Sequence, residues 1–160
     1  MPNPVSPSSS SPRPPAPTPE VKTVKVGNIG ETLTDGKLKI TLNSVQYLNQ
    51  IPSDNQFLSA TAKPGKIFAI VDVLIENIDQ EPTSISSITQ FKVKDTSQGY
   101  NYDVDFMGYI GLQQQVDGKL QPGDKIRGKL AFLVPAGASD LQLVFSFGFL
   151  DYAQAKFNIG

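Results

Sequence analysis

Three aspartates and an asparagine within eleven residues, Asp95, Asn101, Asp103 and Asp105, form the densest oxygen cluster of the 160-residue chain. Calcium takes six to eight oxygen ligands, and Asp95-Thr96-Ser97-Gln98-Gly99 has the outline of the start of a calcium loop. The alternating acidic positions and the closing Glu of such a loop are missing. The plainer reading is a hairpin turn in which Asp and Gly serve the backbone. Asp103 and Asp105 also stand two apart on a predicted strand, about 6–7 Å between Cα atoms. A carboxylate pair can cleave glycosides, but such pairs are equally common on solvated strand faces.

Overlapping these aspartates is an aromatic-rich stretch, Tyr100, Tyr102, Phe106, Met107 and Tyr109, ahead of a Gln113–Gln115 run. Exposed aromatics with a polar handle are recurrent partner-binding anchors. In a sheet protein they also serve as core or edge-covering residues. Burial separates the two uses.

Other chemistry is thinly supplied. The chain has no His, no Cys and no Trp. Without His it lacks the usual general base, the commonest transition-metal ligand and the partner of a nucleophilic Ser. Without Cys it has neither a disulfide framework nor a thiolate metal site. No phosphate-cradling Gly loop at a strand-to-helix turn and no zinc-protease motif is found. A non-enzyme without a cofactor is expected. The net charge is −1 with Lys and Arg dispersed, which gives no basic stripe and no expectation of nucleic-acid binding. No apolar run approaches the roughly 20 residues of a membrane span.

Two regions carry these residues. Residues 1–20 hold eight of the thirteen prolines and the run Ser8–Ser11. Such a composition cannot bury enough surface to offset its ordering entropy, so a disordered, loosely polyproline II tail is expected. It reads as a tether holding a domain off a surface. The alternatives are a leftover linker, or a Pro-rich ligand for an SH3-type groove with Arg13 as its flanking charge.

Residues 21–160 alternate in short stretches between turn signals. Asp35-Gly36 separates two strands as a two-residue hairpin. Leu38, Ile40 and Leu42 share a face, and Val45 and Tyr47 fall out of phase, which predicts a bulge near Asn43-Ser44. After a long polar loop, about Asn49 to Pro64, Ile67, Ala69, Val71, Val73 and Ile75 share one face of a strand. Its other face holds Asp72 and Glu76 but also Phe68, Ile70 and Leu74. That surplus must be covered, either by a partner or by the preceding loop with Ile51, Phe57 and Leu58.

Further strands are expected over Ile85 to Lys94, with Phe91 and Val93 against Lys92 and Lys94, and over Tyr100 to Val104. After Gln121-Pro122-Gly123-Asp124, Ile126, Gly128, Leu130, Phe132 and Val134 alternate with Lys125, Arg127, Lys129, Ala131 and Leu133. Leu141, Leu143, Phe145, Phe147 and Phe149 make the most regular inward stripe, and a short last strand covers about Lys156 to Ile159. No stretch shows helical periodicity over three turns. Seven to nine antiparallel strands argue for an all-β sandwich.

Four motifs recur in order: Val24-Lys25-Val26-Gly27; Gly65-Lys66 leading into Val71-Asp72-Val73 and Glu76-Asn77; Phe91-Lys92-Val93 before an Asp and a Tyr; and Leu120-x-Pro122-Gly123-Asp124 leading to Gly128-Lys129-Leu130-Ala131-Phe132 and Pro135. Over roughly Val21 to Gly160 the chain resembles a family of secreted or lipid-anchored bacterial and archaeal domains, related in fold to the mycobacterial immunoprotective extracellular protein. The resemblance implies an immunoglobulin-like β-sandwich and a place outside the cytoplasm. It transfers no catalytic residue. Members carry a signal peptide and a lipidated Cys before a Ser/Pro/Thr linker. Only the linker is present here, so Met1 is expected to follow the processing site, and membrane attachment only through an anchor lying outside this chain.

The expected role is therefore a non-catalytic interaction module of the cell envelope or extracellular space, with an unidentified protein or cell-surface partner. A purely structural spacer, or more remotely a carboxylate-dependent hydrolase, is the alternative. A monomer or weak homodimer is expected, since nothing marks the edge strands clearly.

Overall fold

The computed structural model describes residue 4 and residues 24–55, 57–148 and 153–160. The tail expected to be disordered, save for residue 4, and Phe149, expected to point inward, lie outside that range.

The strands follow the chain as β1 (Val24–Asn28), β2 (Thr32–Thr34), β3 (Leu38–Leu48), β4 (Gln50–Ile51), β5 (Ala60–Thr61), β6 (Lys66–Asn77), β7 (Thr83–Ile85), β8 (Phe91–Asp95), β9 (Asn101–Tyr102), β10 (Gly118–Leu120), β11 (Lys125–Pro135), β12 (Leu141–Ser146) and β13 (Gln154–Asn158). Two short helices interrupt them, α1 (Ser87–Gln90) and α2 (Phe106–Leu112). One sheet of five strands runs β1-β13-β12-β8-β9, and a sheet of four runs β11-β6-β3-β2. Their nine strands form the immunoglobulin-like sandwich, and two-stranded β4-β5 and β7-β10 ribbons lie outside it. One pair departs from the antiparallel expectation: β1 runs parallel to β13, Val24 opposite Gln154 and Asn28 opposite Asn158.

Local chemistry explains the register. Asp35 Oδ1 accepts from the backbone N–H of Lys37 and Leu38, each at 2.8 Å, and Gly36 takes φ 94°. Thr34 pairs with Lys39, so the β2–β3 connection is a four-residue loop, Asp35–Leu38, rather than the expected two-residue turn, and Gly36 supplies the positive φ it needs. Between Leu42 and Ser44 the β3–β6 register shifts by one residue, at the expected bulge. The extra residue, Asn43, turns its amide to Asp72 Oδ1 at 3.0 Å.

Leu38, Ile40 and Leu42 of β3, Ala69, Val71, Val73 and Ile75 of β6, Leu130, Phe132 and Val134 of β11 and Leu141, Leu143 and Phe145 of β12 meet in the main core. Phe145 packs against Phe91 at 4.8 Å and Phe147 at 5.2 Å between ring centroids. The surplus apolar face of β6 is covered from within the chain. Phe68 and Ile70 form a second core with Ile51, Ala60 and Ala131 on the outer side of the four-stranded sheet, with Leu112 of α2 packed against it. Ile51 is the expected cover, but Phe57 is 80 % exposed and takes no part. Leu74 belongs to neither core. It sits on the polar end of that face, where Arg127 makes two 3.0 Å hydrogen bonds to Asp72 and Lys125 lies 3.8 Å from Glu76.

The outward side of the five-stranded sheet is organised in cross-strand rows. One is Lys94–Gln142–Asn158–Asn28; the next is Lys92–Val144–Lys156–Val26. Gln142 donates to Asn158 at 2.9 Å, and Asn158 donates to Asn28 at 3.1 Å.

Two further sequence expectations need correction. The strand expected over Ile85 to Lys94 is broken. β7 pairs with β10, one helical turn follows, and β8 joins the five-stranded sheet. Gln90 holds the break, accepting from Ser86 N at 2.7 Å and donating to Ser146 O at 3.0 Å. The strand expected over Tyr100 to Val104 shrinks to Asn101–Tyr102 and an isolated bridge from Val104 to Phe132. The aromatic stretch then enters α2, capped by Asp105 accepting from Gly108 N at 2.8 Å.

Candidate groove between the two short helices

α2 turns by about 100° per residue, so residues 106, 109 and 110 fall on one side of it. Phe106, Tyr109 and Ile110 line one wall of a groove of about 390 Å³, opposite Ser87 and Ile88 of α1, with Val104, Gln115 and Asp117 completing it. Its rim is apolar and solvent-facing: Ile88 is 73 % and Phe106 66 % exposed.

At its polar end the exposed Asp117 gathers hydrogen bonds from buried neighbours. The Asp117 carboxylate accepts from Ser87 N at 2.8 Å, from Ser87 Oγ at 2.9 and 3.1 Å, and from the Tyr109 hydroxyl. Tyr109 Oη in turn accepts from the buried Val116 N at 3.0 Å. Burial opposes the charge on Asp117, but the hydrogen bonds from Tyr109 and Ser87 prevail and hold its carboxyl below the usual range. Burial, seconded by the bond to Asp117, pushes the Tyr109 phenol up. Ser87 is buried and gives its proton to a carboxylate of low basicity, with no imidazole in the chain to activate it. The arrangement is that of a clamp fixing α1 to α2 through Asp117, beside an exposed apolar surface.

The aromatic residues singled out by sequence do not form one patch. Phe106 lines the groove and Tyr109 is its wall, buried at 6 % exposure. Met107, half exposed, projects from the helix without lining the groove. Tyr100 is 61 % exposed in the β8–β9 turn. Tyr102 packs partly against the main core, with the Lys66 ammonium 5.8 Å from its ring centroid. The physical reason is the helix: where a strand would have alternated these side chains, α2 leaves Phe106 and Met107 exposed and buries Tyr109.

The calcium candidates are dispersed too. Asp95 is turned into its own loop, Oδ1 accepting from Ser97 N at 2.9 Å, Ser97 Oγ at 2.7 Å and Gln98 N at 3.0 Å. These bonds depress its pKa, those from Ser97 and Gln98 leading. Asp105 caps α2 and Asp103 is exposed. Among the described residues no group of three or more Asp, Glu, His or Cys is placed to hold a metal ion. The sequence reading missed Ser87, Ile88 and Asp117. Its one available signal was Asp105 as an N-cap ahead of an apolar stretch.

Residues 27–155 match a family described as a domain of unknown function, DUF4352. The chain belongs to this family. No curated protein matches the DUF4352 chain. Among solved structures it is similar to the yjhA protein of Bacillus subtilis, with TM-score 0.63, 21 % identity and coverage of 84 % of this chain and 99 % of that one. It is also similar to a longer Bacillus subtilis protein, ycdA, described as a lipoprotein candidate: TM-score 0.61, 16 % identity, 80 % of this chain and 38 % of that one. The secreted Mycobacterium tuberculosis protein MPT63 superposes with TM-score 0.54 at 13 % identity over 86 % of this chain and 98 % of that one. These likenesses bear out the sequence resemblance to the secreted mycobacterial fold. At such identities they carry the fold alone. No helix among the described residues is long and apolar enough to cross a membrane.

Proposed function

We propose that this DUF4352 chain is a non-catalytic interaction module of the cell envelope or extracellular space, and that its α1–α2 groove receives an apolar side chain or short apolar segment of a protein partner. The observation that carries the reading is the pairing of a solvent-facing apolar rim, Ile88 and Phe106, with two buried polar lining residues, Ser87 and Tyr109, whose hydroxyls are already hydrogen-bonded. An apolar group entering there displaces water without stranding a buried donor or acceptor. The groove volume lies at the small end of the range for ligand sites, about 300–1,000 Å³, which suits one anchor residue. Residues 21–160 are the folded unit of this reading, and residues 1–20 its tether. The secreted and lipoprotein-like descriptions of structural relatives support the location.

The binding half is tested by titrating an isotope-labelled sample with short apolar peptides. The reading expects amide shifts concentrated at Ser87, Ile88, Ile110 and Asp117, abolished by Ile88→Ala with Phe106→Ala. Shifts scattered over the sandwich, or none, overturn it. The location is tested by surface biotinylation of intact cells expressing the native gene; labelling seen only after lysis sinks it.

A further inference from the structure

Among the described residues, the outward strand positions of the five-stranded sheet carry charge of one sign only, with the Glu31 carboxylate bonded to Asn28 at the β1 edge. Lys92 and Lys94 of β8 and Lys156 of β13 point outward, alternating with the core residues Phe91, Val93 and Phe157. No Asp or Glu occupies an outward position on β1, β8, β12 or β13. On the four-stranded sheet, by contrast, Arg127 and Lys125 meet Asp72 and Glu76, and these are the ion pairs of the described residues. Residues 149–152, between β12 and β13, lie outside the described residues. Val144 is outward yet 1 % exposed, and the register puts Lys92 on one side of it and Lys156 on the other. Lysine stems cover apolar surface while their ammonium groups stay in water, so the two charges are splayed across the face. At its margin Val24 and Val26 are 44 % and 56 % exposed.

We propose that this face docks on an anionic lipid bilayer surface. Lysines on one side of one sheet can meet a plane of negative charge together, whereas a single polyanionic chain is best gripped in a groove. The exposed valines sit where the face would meet the headgroup boundary. Each lysine near an anionic surface contributes about 1 kcal/mol, about fivefold in partitioning, so three give about 100-fold. The proposal uses no residue of the α1–α2 groove, and either can fail without the other.

The test is cosedimentation with vesicles of phosphatidylglycerol and phosphatidylcholine against phosphatidylcholine alone. The protein is expected to pellet with the anionic vesicles only, and to be released between about 0.01 and 0.15 M salt as the screening length falls from about 30 to 8 Å. Lys92→Gln, Lys94→Gln and Lys156→Gln together are expected to lower partitioning about 100-fold and singly about fivefold each. The same charge change at Lys37, Lys39 and Lys119, exposed residues away from this face, is expected to leave it within about twofold. The single variants keep the test open should the triple not fold. Absence of phosphatidylglycerol-dependent pelleting overturns the proposal, as does equal loss in the two triple variants. Binding to soluble polyphosphate without binding to vesicles also overturns it, assigning the face to a linear polyanion.

Discussion

The Tyr109 hydroxyl does two things at once: it donates to Asp117 and accepts from the buried Val116 N–H. Tyr109→Phe keeps the ring but leaves that N–H unpaired and removes a donor from a carboxylate. An unsatisfied buried group costs about 1–3 kcal/mol, which for a chain of this size lowers the melting temperature by roughly 2–10 °C. Tyr109→Ala adds loss of the ring and is expected to cost about 3–5 kcal/mol. Tyr100→Ala, at an exposed turn position, should stay within about 0.5 kcal/mol. Thermal denaturation of the three variants checks this ordering. Equal losses at positions 100 and 109 would mean the hydroxyl bridge contributes nothing beyond ring packing. Sequence marked both tyrosines without separating them, because their fates depend on a helix between them and a carboxylate eight residues downstream. The aspartates are the converse case. Three of them within a short span suggested a shared ligand, yet two are consumed by their own backbone turns, which is what Asp does most often at such positions.

α2 is where local pattern and outcome part. Its seven residues are too few to show three-turn periodicity, and its inward face is built from absence: Gly108 and Gly111, three apart, let the helix lie on Ala131, Ile51 and the Leu58 carbonyl. A Cβ at position 111 would stand 2.6 Å from Leu58 O. Gly111→Ala gains about 1 kcal/mol of helix propensity but forces the β4–β5 segment off the second core, at about 1–3 kcal/mol. The net expectation is a loss of stability and a weakened cover over Phe68 and Ile70, read as a lower melting temperature and faster amide exchange at Ile51 and Ala60. A stabilised protein would show that the cover yields without resistance. At the other end of α2, Gln113 holds φ 54°, a left-handed cap that Gly occupies without strain. Gln113→Gly should stabilise by about 0.5–1 kcal/mol; an unchanged denaturation midpoint would count against strain there. Strands were far more legible than this helix. The period-two stripes of β3, β6, β11 and β12, the Asp35-Gly36 turn and the bulge beside Asn43 are each decided by a few adjacent residues. What covers Phe68 and Ile70 was legible in part, as the loop carrying Ile51; Ala131 and Leu112, distant in sequence, were not.

The whole molecule has an unusual titration profile for a domain of its size, because with no His it has no side chain that ordinarily changes charge between pH 5 and 8. Its pH dependence must come from the two extremes. On the acid side, Asp72 is opposed by burial but held below the ordinary carboxylate range by Arg127 and Asn43, and Asp117 by Tyr109 and Ser87. A carboxylate with a depressed folded pKa binds its proton more readily when unfolded. Its stabilisation is therefore present above the unfolded value, near 3.9, and is lost as pH falls through the lower folded value. On the alkaline side, burial raises the phenols of Tyr47 and, with Asp117, of Tyr109. A raised folded pKa gives stability that is complete below the unfolded value, near 10, and is lost as pH climbs through the folded one. The expected curve of melting temperature against pH is a plateau from about pH 5 to 9 with a fall on either side. Asp72 and Arg127 are the strongest acid-side pair, since the guanidinium bonds both carboxylate oxygens at 3.0 Å. Arg127→Gln should therefore lower the plateau, shrink the acid limb and leave the alkaline limb in place. Tyr109→Phe should move both limbs, because it withdraws a donor from Asp117 and one of the raised phenols together. A sloping curve between pH 6 and 8, or an acid limb indifferent to Arg127, would contradict this account of which charges the sandwich depends on.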